Sequence, residues 1–488
     1  MVTFLAGILL LIVGYFTYGK FVERVFESNH RRPTPAYTMR DDVDYLPMGT
    51  KRNALIQLLN IAGVGPIFGP ILGALYGPVA FIWIVVGCIF AGAVHDYLTG
   101  MISIRNHGAH LPQLAGKFLG RIMKHVVNFF ALLLLLLVGT VFVTAPATLL
   151  ANMLPVSLTV ITLAIFAYYL LATLLPIDKI IGRIYPWFGA LLLFSAAGIG
   201  IMMILRGAPI PELNFSNMHP DNAPIFPLLF LTISCGALSG FHATQTPIIS
   251  RTTGNENNGR KIFYGMMITE GVIAMIWAAA AMSLFHGDNS LSQVLAQGGP
   301  AAVVQSVSVN LLGAVGGTLA VLGVIVLPIT SGDTAFRSAR MIIADYLHIG
   351  QRPMARRVMV AAPLFVISYG LTHMDFTMLW RYFSWANQTT AVIALWVATM
   401  YLILAKKAYW MTLLPALFMT MATFTYIAWA PIGFGLPLTM AYVVAALGTA
   451  VALALFIKRV RRLSGGIFAV DEPAEPVAPG TTLVGAPA

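Results

Sequence analysis

The stretch NIAGVGPIFGP, Asn60 to Pro70, places three glycines and two prolines in the middle of an apolar run extending from about 54 to 77. Each proline removes a backbone donor and clashes with the preceding turn, so a helix through this run is predicted to unwind here. A second stretch, SCGALSGFHATQTP, Ser234 to Pro247, sets Gly236 and Gly240 among small and polar residues in the middle of the run from about 225 to 249. Unwound backbone inside hydrocarbon is tolerated only where protein or a water-filled cavity satisfies its free N–H and C=O groups. Both stretches therefore belong in a protein interior rather than against lipid.

The rest of the chain supplies that interior. Of 488 residues, 58% are hydrophobic and 10% charged, whereas an ordinary globular domain carries about a quarter charged residues. Apolar runs near the ~20 residues needed to cross a ~30 Å hydrocarbon core recur throughout. Thirteen spans are expected: 2–19, 54–77, 79–104, 126–149, 157–175, 185–205, 225–249, 262–285, 305–335, 357–372, 377–405, 409–428 and 434–457. The chain reads as an all-α polytopic membrane protein. Its net charge of +11 does not point to nucleic acid, because the basic residues sit between hydrophobic runs and never along one polar face. With residue 1 outside, 27 of the 29 Lys and Arg fall in alternate, cytoplasmic loops, Lys179 and Arg183 among them; the exceptions are Arg206 and Arg381. That asymmetry puts the amino terminus outside and the carboxyl terminus in the cytoplasm. The first run has no basic residue before it and no small-residue cleavage site after it, so it reads as a retained helix.

Grouping the spans gives an extra helix (1–20), a cytoplasmic loop (21–53), five-helix units over 54–205 and 225–405, two further helices (409–457) and a disordered cytoplasmic tail (464–488). Each unit opens with a broken helix, the first rising from the cytoplasm and the second descending from outside. Oppositely oriented repeats headed by broken helices mark secondary transporters with a site at the bilayer midplane.

Several segments resemble the carbon starvation protein A family: YGKFVERVF (Tyr18 to Phe26), the run from Gln57 to Arg105, SGFHATQTPIISR (Ser239 to Arg251), ITSGDTAFRSARMIIAD (Ile329 to Asp345) and ANQ (Ala386 to Gln388). The resemblance implies a transporter of pyruvate or short peptides used when carbon is short, in a bacterial inner membrane. It also implies the 5+5 inverted repeat of the LeuT type, as in the amino acid, polyamine and organocation (APC) transporters.

On this scaffold the half-helix that starts at Gly65-Pro66, and another near Gly240 and Phe241, would offer free N–H groups to a carboxylate. Substrate contacts are expected from Gly63, Gly65, Pro66, Gly236, Gly240, His242, Gln245, Asn387 and Gln388. The carbonyls closing the inner half-helix, Ala62 to Val64, can coordinate a cation. By resemblance to the broken-helix transporters, the hydroxyls of Thr330, Ser331 and Thr334 would meet those carbonyls in a sodium-type site. Asp333 makes H+ equally plausible as the coupling ion, since burial disfavours charge and lets a carboxylate load and release a proton; its alternative is an ion pair with Arg337 one turn later.

Asp96 is a proton-relay carboxylate or an interhelical hydrogen-bonding group, with a close neighbouring helix supplying its partner over Gly92, Ala93, Thr99 and Gly100. His95, adjacent on the helix, is expected to point elsewhere and not to pair with it. Glu270 is either coupling or paired. Arg381 either snorkels outward or attracts anions, with Ser384, Asn387, Gln388 and Thr389 below it.

No phosphate loop, HExxH or GxSxG occurs, so neither ATP as power source nor an enzyme is expected. Cys88 and Cys235 lie in apolar runs without CxxC or Cys/His spacing, so neither a disulfide framework nor a metal site is indicated. No cofactor is expected, and no selectivity-filter sequence supports a channel. The reading is an ion-coupled importer, driven by H+ or alternatively Na+.

Overall fold

In the computed structural model the described residues are 1–42, 44–174, 177–285, 290–351, 353–466 and 468–473, without side-chain detail at 173, 174, 177–186 and 188. Lys179 and Arg183 fall among these positions, and the part of the expected disordered tail from 474 to 488 lies outside the described residues. Among the described residues nine helices are long and apolar enough to cross a membrane, or ten if the bent pair Thr50–Ala62 and Gly65–Tyr76 counts as one span. The protein is a multi-pass, all-helical membrane protein.

Besides the short helices Pro35–Thr38 and Leu111–Phe118, the elements in chain order are α1 (Val2–Phe26), α2 (Thr50–Ala62), α3 (Gly65–Tyr76), α4 (Val79–Arg105) and α5 (Arg121–Met153). Then come α6 (Leu158–Leu174), α7 (Ile177–Leu205), the single turn α8 (Phe230–Thr232), α9 (Gly240–Ser250) and α10 (Glu256–Leu284). The last are α11 (Leu291–Tyr346), α12 (Met354–Leu371), α13 (Phe376–Leu404), α14 (Trp410–Trp429) and α15 (Leu438–Ser464). A straight helix of α11's 56 residues would be about 84 Å long, far more than a membrane needs. It is instead divided at Gly299 (φ 63°) and Gly313 (φ 71°). The expected span 305–335 is therefore cut at Gly313, where only glycine holds positive φ at little cost.

Helices α2, α3, α4, α9 and α10 form the centre: α9 packs on α2, α4 and α13, and α10 packs on α2 and α3. Polarity follows burial. The lipid-type apolar face is carried by helices such as α1 and α15, with Leu9, Val2, Leu447 and Leu455 exposed. Asn53, Gln57, Asn60, Asp96, His242, Glu270, Asp333 and Asn387 are buried at the centre.

The face that collects the basic residues is tied together by ion pairs. Glu256, fully buried, accepts from Arg105 Nε (3.1 Å) and Nη2 (3.0 Å). The tail, expected to be disordered from 464, departs from that expectation over 468–473. Asp471 accepts from Arg32 (3.2 Å) and from the Tyr401 hydroxyl (2.9 Å), and Glu472 accepts from Lys117 Nζ (2.7 Å). The bonded Lys117 ammonium holds the Glu472 carboxyl below its usual range. The acidic residues that break up the Pro/Ala-rich tail are thus its anchors on the basic face.

Candidate functional site

The first break is made by backbone. Helix α2 stops at Ala62, Gly63 takes φ 38° and ψ −151°, and α3 restarts at Gly65 with Pro66 in its first turn. A Cβ at Gly63 would stand 2.3 Å from the Phe142 ring, so glycine is required by both conformation and space. In the second break the chain leaves helical geometry at Ile233, passes Gly236 (φ 89°) and reaches extended Ser239 before α9 begins at Gly240.

The two breaks abut. A Cβ on Gly65 would lie 2.3 Å from Cys235 Sγ, and one on Gly69 would lie 2.9 Å from the Thr232 carbonyl oxygen. Both interruptions expected from the sequence are present and share one buried zone. All nine expected substrate residues, Gly63, Gly65, Pro66, Gly236, Gly240, His242, Gln245, Asn387 and Gln388, are buried.

One of the N–H groups expected to be free, that of Phe241, is already taken by a side chain. At the second break Asn387 Oδ1 accepts from Phe241 N–H (2.7 Å) and from the Ser239 hydroxyl (3.2 Å). Gln388 Nε2 donates to the Leu238 carbonyl (2.9 Å), and Trp83 Nε1 donates to that of Ile233 (2.9 Å). At the first break the N–H groups of Ile67 and Phe68 turn back to the Val64 carbonyl (3.1 and 2.8 Å). Buried backbone groups find a partner wherever one is within reach. Gly240 owes its identity to close approach, since a Cβ there would be 2.1 Å from the Asn387 carbonyl oxygen.

Beside the second break lies a chain of ionisable side chains from three elements. His95 Nδ1 meets Asp96 Oδ1 at 2.8 Å, and His242 Nδ1 meets Asp96 Oδ2 at 2.8 Å. His242 Nε2 stands 3.3 Å from Glu270 Oε2. All four residues are fully buried. The expectation that His95 and Asp96 do not pair is corrected. Successive helical side chains leave the axis about 100° apart, yet Nδ1 and the carboxylate oxygens each lie two bonds beyond Cβ and curl toward each other. The neighbour expected over the small residues is the second break with α9: a Cβ at Gly92 would stand 2.1 Å from the Ala237 carbonyl oxygen in the loop of the break, and α9 supplies His242 as the partner of Asp96.

The expected coupling-ion residues divide into two groups, because Asp96 belongs to this chain of charges while Ala62 and Val64 lie at the first break and Thr330, Ser331 and Asp333 lie on α11. Ser331, expected to meet the Ala62 to Val64 carbonyls, bonds a different carbonyl of α2. Ser331 Oγ reaches one turn lower, to the Leu59 carbonyl (2.7 Å), while Thr330 and Thr334 donate within α11, to Leu327 (2.7 Å) and Ser331 (3.0 Å). A hydroxyl in a helix readily bonds a carbonyl of its own preceding turn. Asp333 is fully buried 3.9 Å from Arg337 Nη2, and neither of its oxygens has a hydrogen-bond partner among the described residues.

The sequence reading did not single out Gln57, Asn60 and Phe142. The amide groups of Gln57 and Asn60 are buried without hydrogen-bond partners among the described residues. Their i, i+3 spacing on one face of an apolar run is a signal that could have found them. Phe142 has no such signal; it covers Gly63 and meets the Phe241 ring edge-on at 5.6 Å.

A cavity of about 460 Å³ has Thr144, Thr148, Tyr369 and His373 in its walls. Phe68, one turn beyond the first break, also lines it, and its ring stands 6.2 Å from that of Trp380. Arg381 is exposed, which both of its expected roles allow.

Helices broken in the middle of a multi-pass bundle, with buried charges around the breaks, define a membrane transporter. The relatives agree. The family model described as "Carbon starvation protein CstA" matches residues 1–166, 142–293 and 288–426. The chain belongs to the carbon starvation protein CstA family. It is 50% identical over 352 residues to an uncharacterized membrane protein of Haemophilus influenzae, covering 61% of this chain and 95% of that one. It is 25% identical to the peptide transporter CstA of Campylobacter jejuni, over 86% of this chain and 78% of the relative. It is 27% identical to the pyruvate/proton symporter BtsT of Escherichia coli, over 58% of this chain and 49% of the relative. Among solved structures, a mutant of the Eremococcus coleocola manganese transporter superposes with a TM-score of 0.58 at 12% identity, covering 87% of this chain and 99% of that one. That likeness concerns the fold alone.

Proposed function

We propose that the protein is a secondary-active importer in a bacterial inner membrane, coupling H+ entry to uptake of a small carboxylate such as pyruvate, or of a short peptide, by alternating access. The observation that carries this reading is the contact between the two breaks at Gly65 and Cys235. Half-helix ends meeting in the middle of a bundle provide dipoles and free backbone groups for a small charged solute. The basic face is cytoplasmic in this reading, and the amino terminus is outside.

In this reading Asn387 Oδ1 holds, while the site is closed, the Phe241 N–H that a substrate carboxylate takes over when it opens. Asp333 is the coupling group. It is a buried carboxylate without a hydrogen-bond partner among the described residues, one turn from Arg337, and such costly groups inside a membrane mark proton or ion pathways. The relative named a pyruvate/proton symporter favours H+ and pyruvate.

The test is pyruvate and dipeptide uptake into proteoliposomes under separately imposed pH and Na+ gradients. Accumulation follows the pH gradient, and Asp333→Asn abolishes accumulation while retaining pyruvate counterflow. Accumulation driven by Na+ at symmetric pH would exclude the H+ mechanism, and wild-type proton dependence in Asp333→Asn would remove that residue from it.

A further inference from the structure

The side of His242 that faces away from Asp96 presents a second problem of chemistry. Asp96 binds Nδ1, which leaves Nε2 directed at Glu270 Oε2 at 3.3 Å. Neither Nε2 nor either Glu270 oxygen has a hydrogen-bond partner among the described residues, and all are fully buried. A buried carboxylate and a buried imidazole nitrogen facing each other without a well-formed hydrogen bond compensate the cost of dehydration only in part. The sulfur of Cys235 completes the group: Sγ, one His242 ring nitrogen and a Glu270 carboxylate oxygen lie within 4.8 Å of one another.

We propose that Cys235, His242 and Glu270 form a binding site for a borderline-soft divalent cation of the zinc class. One sulfur, one imidazole nitrogen and one carboxylate oxygen are the donor types zinc takes, and three protein ligands leave its fourth position open. Asp96 stands where a positioning residue of such a site belongs, holding the remote ring nitrogen so that Nε2 keeps its lone pair toward the ion. The donors come from the loop of the second break, from α9 and from α10. The bound ion therefore fastens the break to its neighbour. This assignment is separate from the coupling role of Asp333 and stands whichever solute is carried.

The experiment uses the full chain, purified in detergent, stripped with a chelator and reloaded with Zn2+ or Co2+ alone. About one equivalent of metal per chain is expected to remain after gel filtration. The Co2+ form is expected to show a thiolate-to-metal charge-transfer band. Cys88→Ser, which alters the only other cysteine, leaves stoichiometry and band unchanged, and thereby assigns the band to Cys235 without altering any ligand. Cys235→Ser abolishes the band, and Asp96→Asn retains the site with affinity lowered ~10–100-fold. A wild-type protein that retains no metal, or a Co2+ form without a thiolate band, overturns the proposal and leaves a proton as what lies between His242 and Glu270. A band that persists in Cys235→Ser overturns it as well.

Discussion

The two breaks do the same geometric work by different means. At the first, Gly63, Gly65 and Pro66 deny the backbone a continuous helix, and an aromatic ring, Phe142, covers the gap. At the second, distant side chains capture the backbone: Asn387 takes Phe241 N–H, Gln388 takes the Leu238 carbonyl and Trp83 takes that of Ile233. The first interruption is local and apolar. The second is assembled by the fold and polar, and the buried charges of Asp96, His242 and Glu270 gather beside it. A helix can thus be broken by residues that cannot continue it or by partners that compete for its hydrogen bonds.

The largest effect is expected where the two breaks share a residue. Phe142 touches Gly63 on one side and Phe241 on the other. Deleting a buried phenyl ring costs about 3–5 kcal/mol, so Phe142→Ala should lower the unfolding midpoint and raise hydrogen exchange at both 60–68 and 233–243. Protection that changes at one break only would show that the ring does not link them.

Asn387→Ala should come next, at about 1–3 kcal/mol for leaving a buried donor without its acceptor. Its exchange signature is expected at 233–243 with 60–68 unchanged. If both breaks loosen equally, they form one cooperative unit and the contrast drawn between them fails.

The same contrast explains what could be read before the fold was known. The first break was legible because glycine and proline act through their own backbone, whatever surrounds them. The position of the second was legible from Gly236 and Gly240, but its partners were not. Asn387 lies 146 residues from Phe241, and Glu270 belongs to a helix that only tertiary packing brings against His242. Cys235 and His242 lack any recognised ligand spacing for the same reason. The pairing of His95 with Asp96 was misjudged because Cβ directions do not describe where a ring nitrogen ends. The expected meeting of Ser331 with the end of α2 missed by one turn, since the carbonyl it found was Leu59.

That last contact gives the smallest and most local test. Leu59 is among the last four residues of α2, whose carbonyls have no N–H ahead of them in the helix. In an uninterrupted helix Gly63 N–H would serve it, but Gly63 has turned to φ 38°. Ser331 Oγ replaces that donor at 2.7 Å while sharing its proton with the Leu327 carbonyl at 3.2 Å. Ser331→Ala should therefore cost about 0.5–1.5 kcal/mol, with exchange rising at the end of α2 and the start of α3 and not at 233–243. Ser331→Thr, which keeps a hydroxyl at the same position, should restore protection. If alanine leaves the 59–68 segment as protected as in the wild type, the first break holds itself without help from α11. The contrast then sharpens further, with one interruption wholly self-contained and the other wholly dependent on its neighbours.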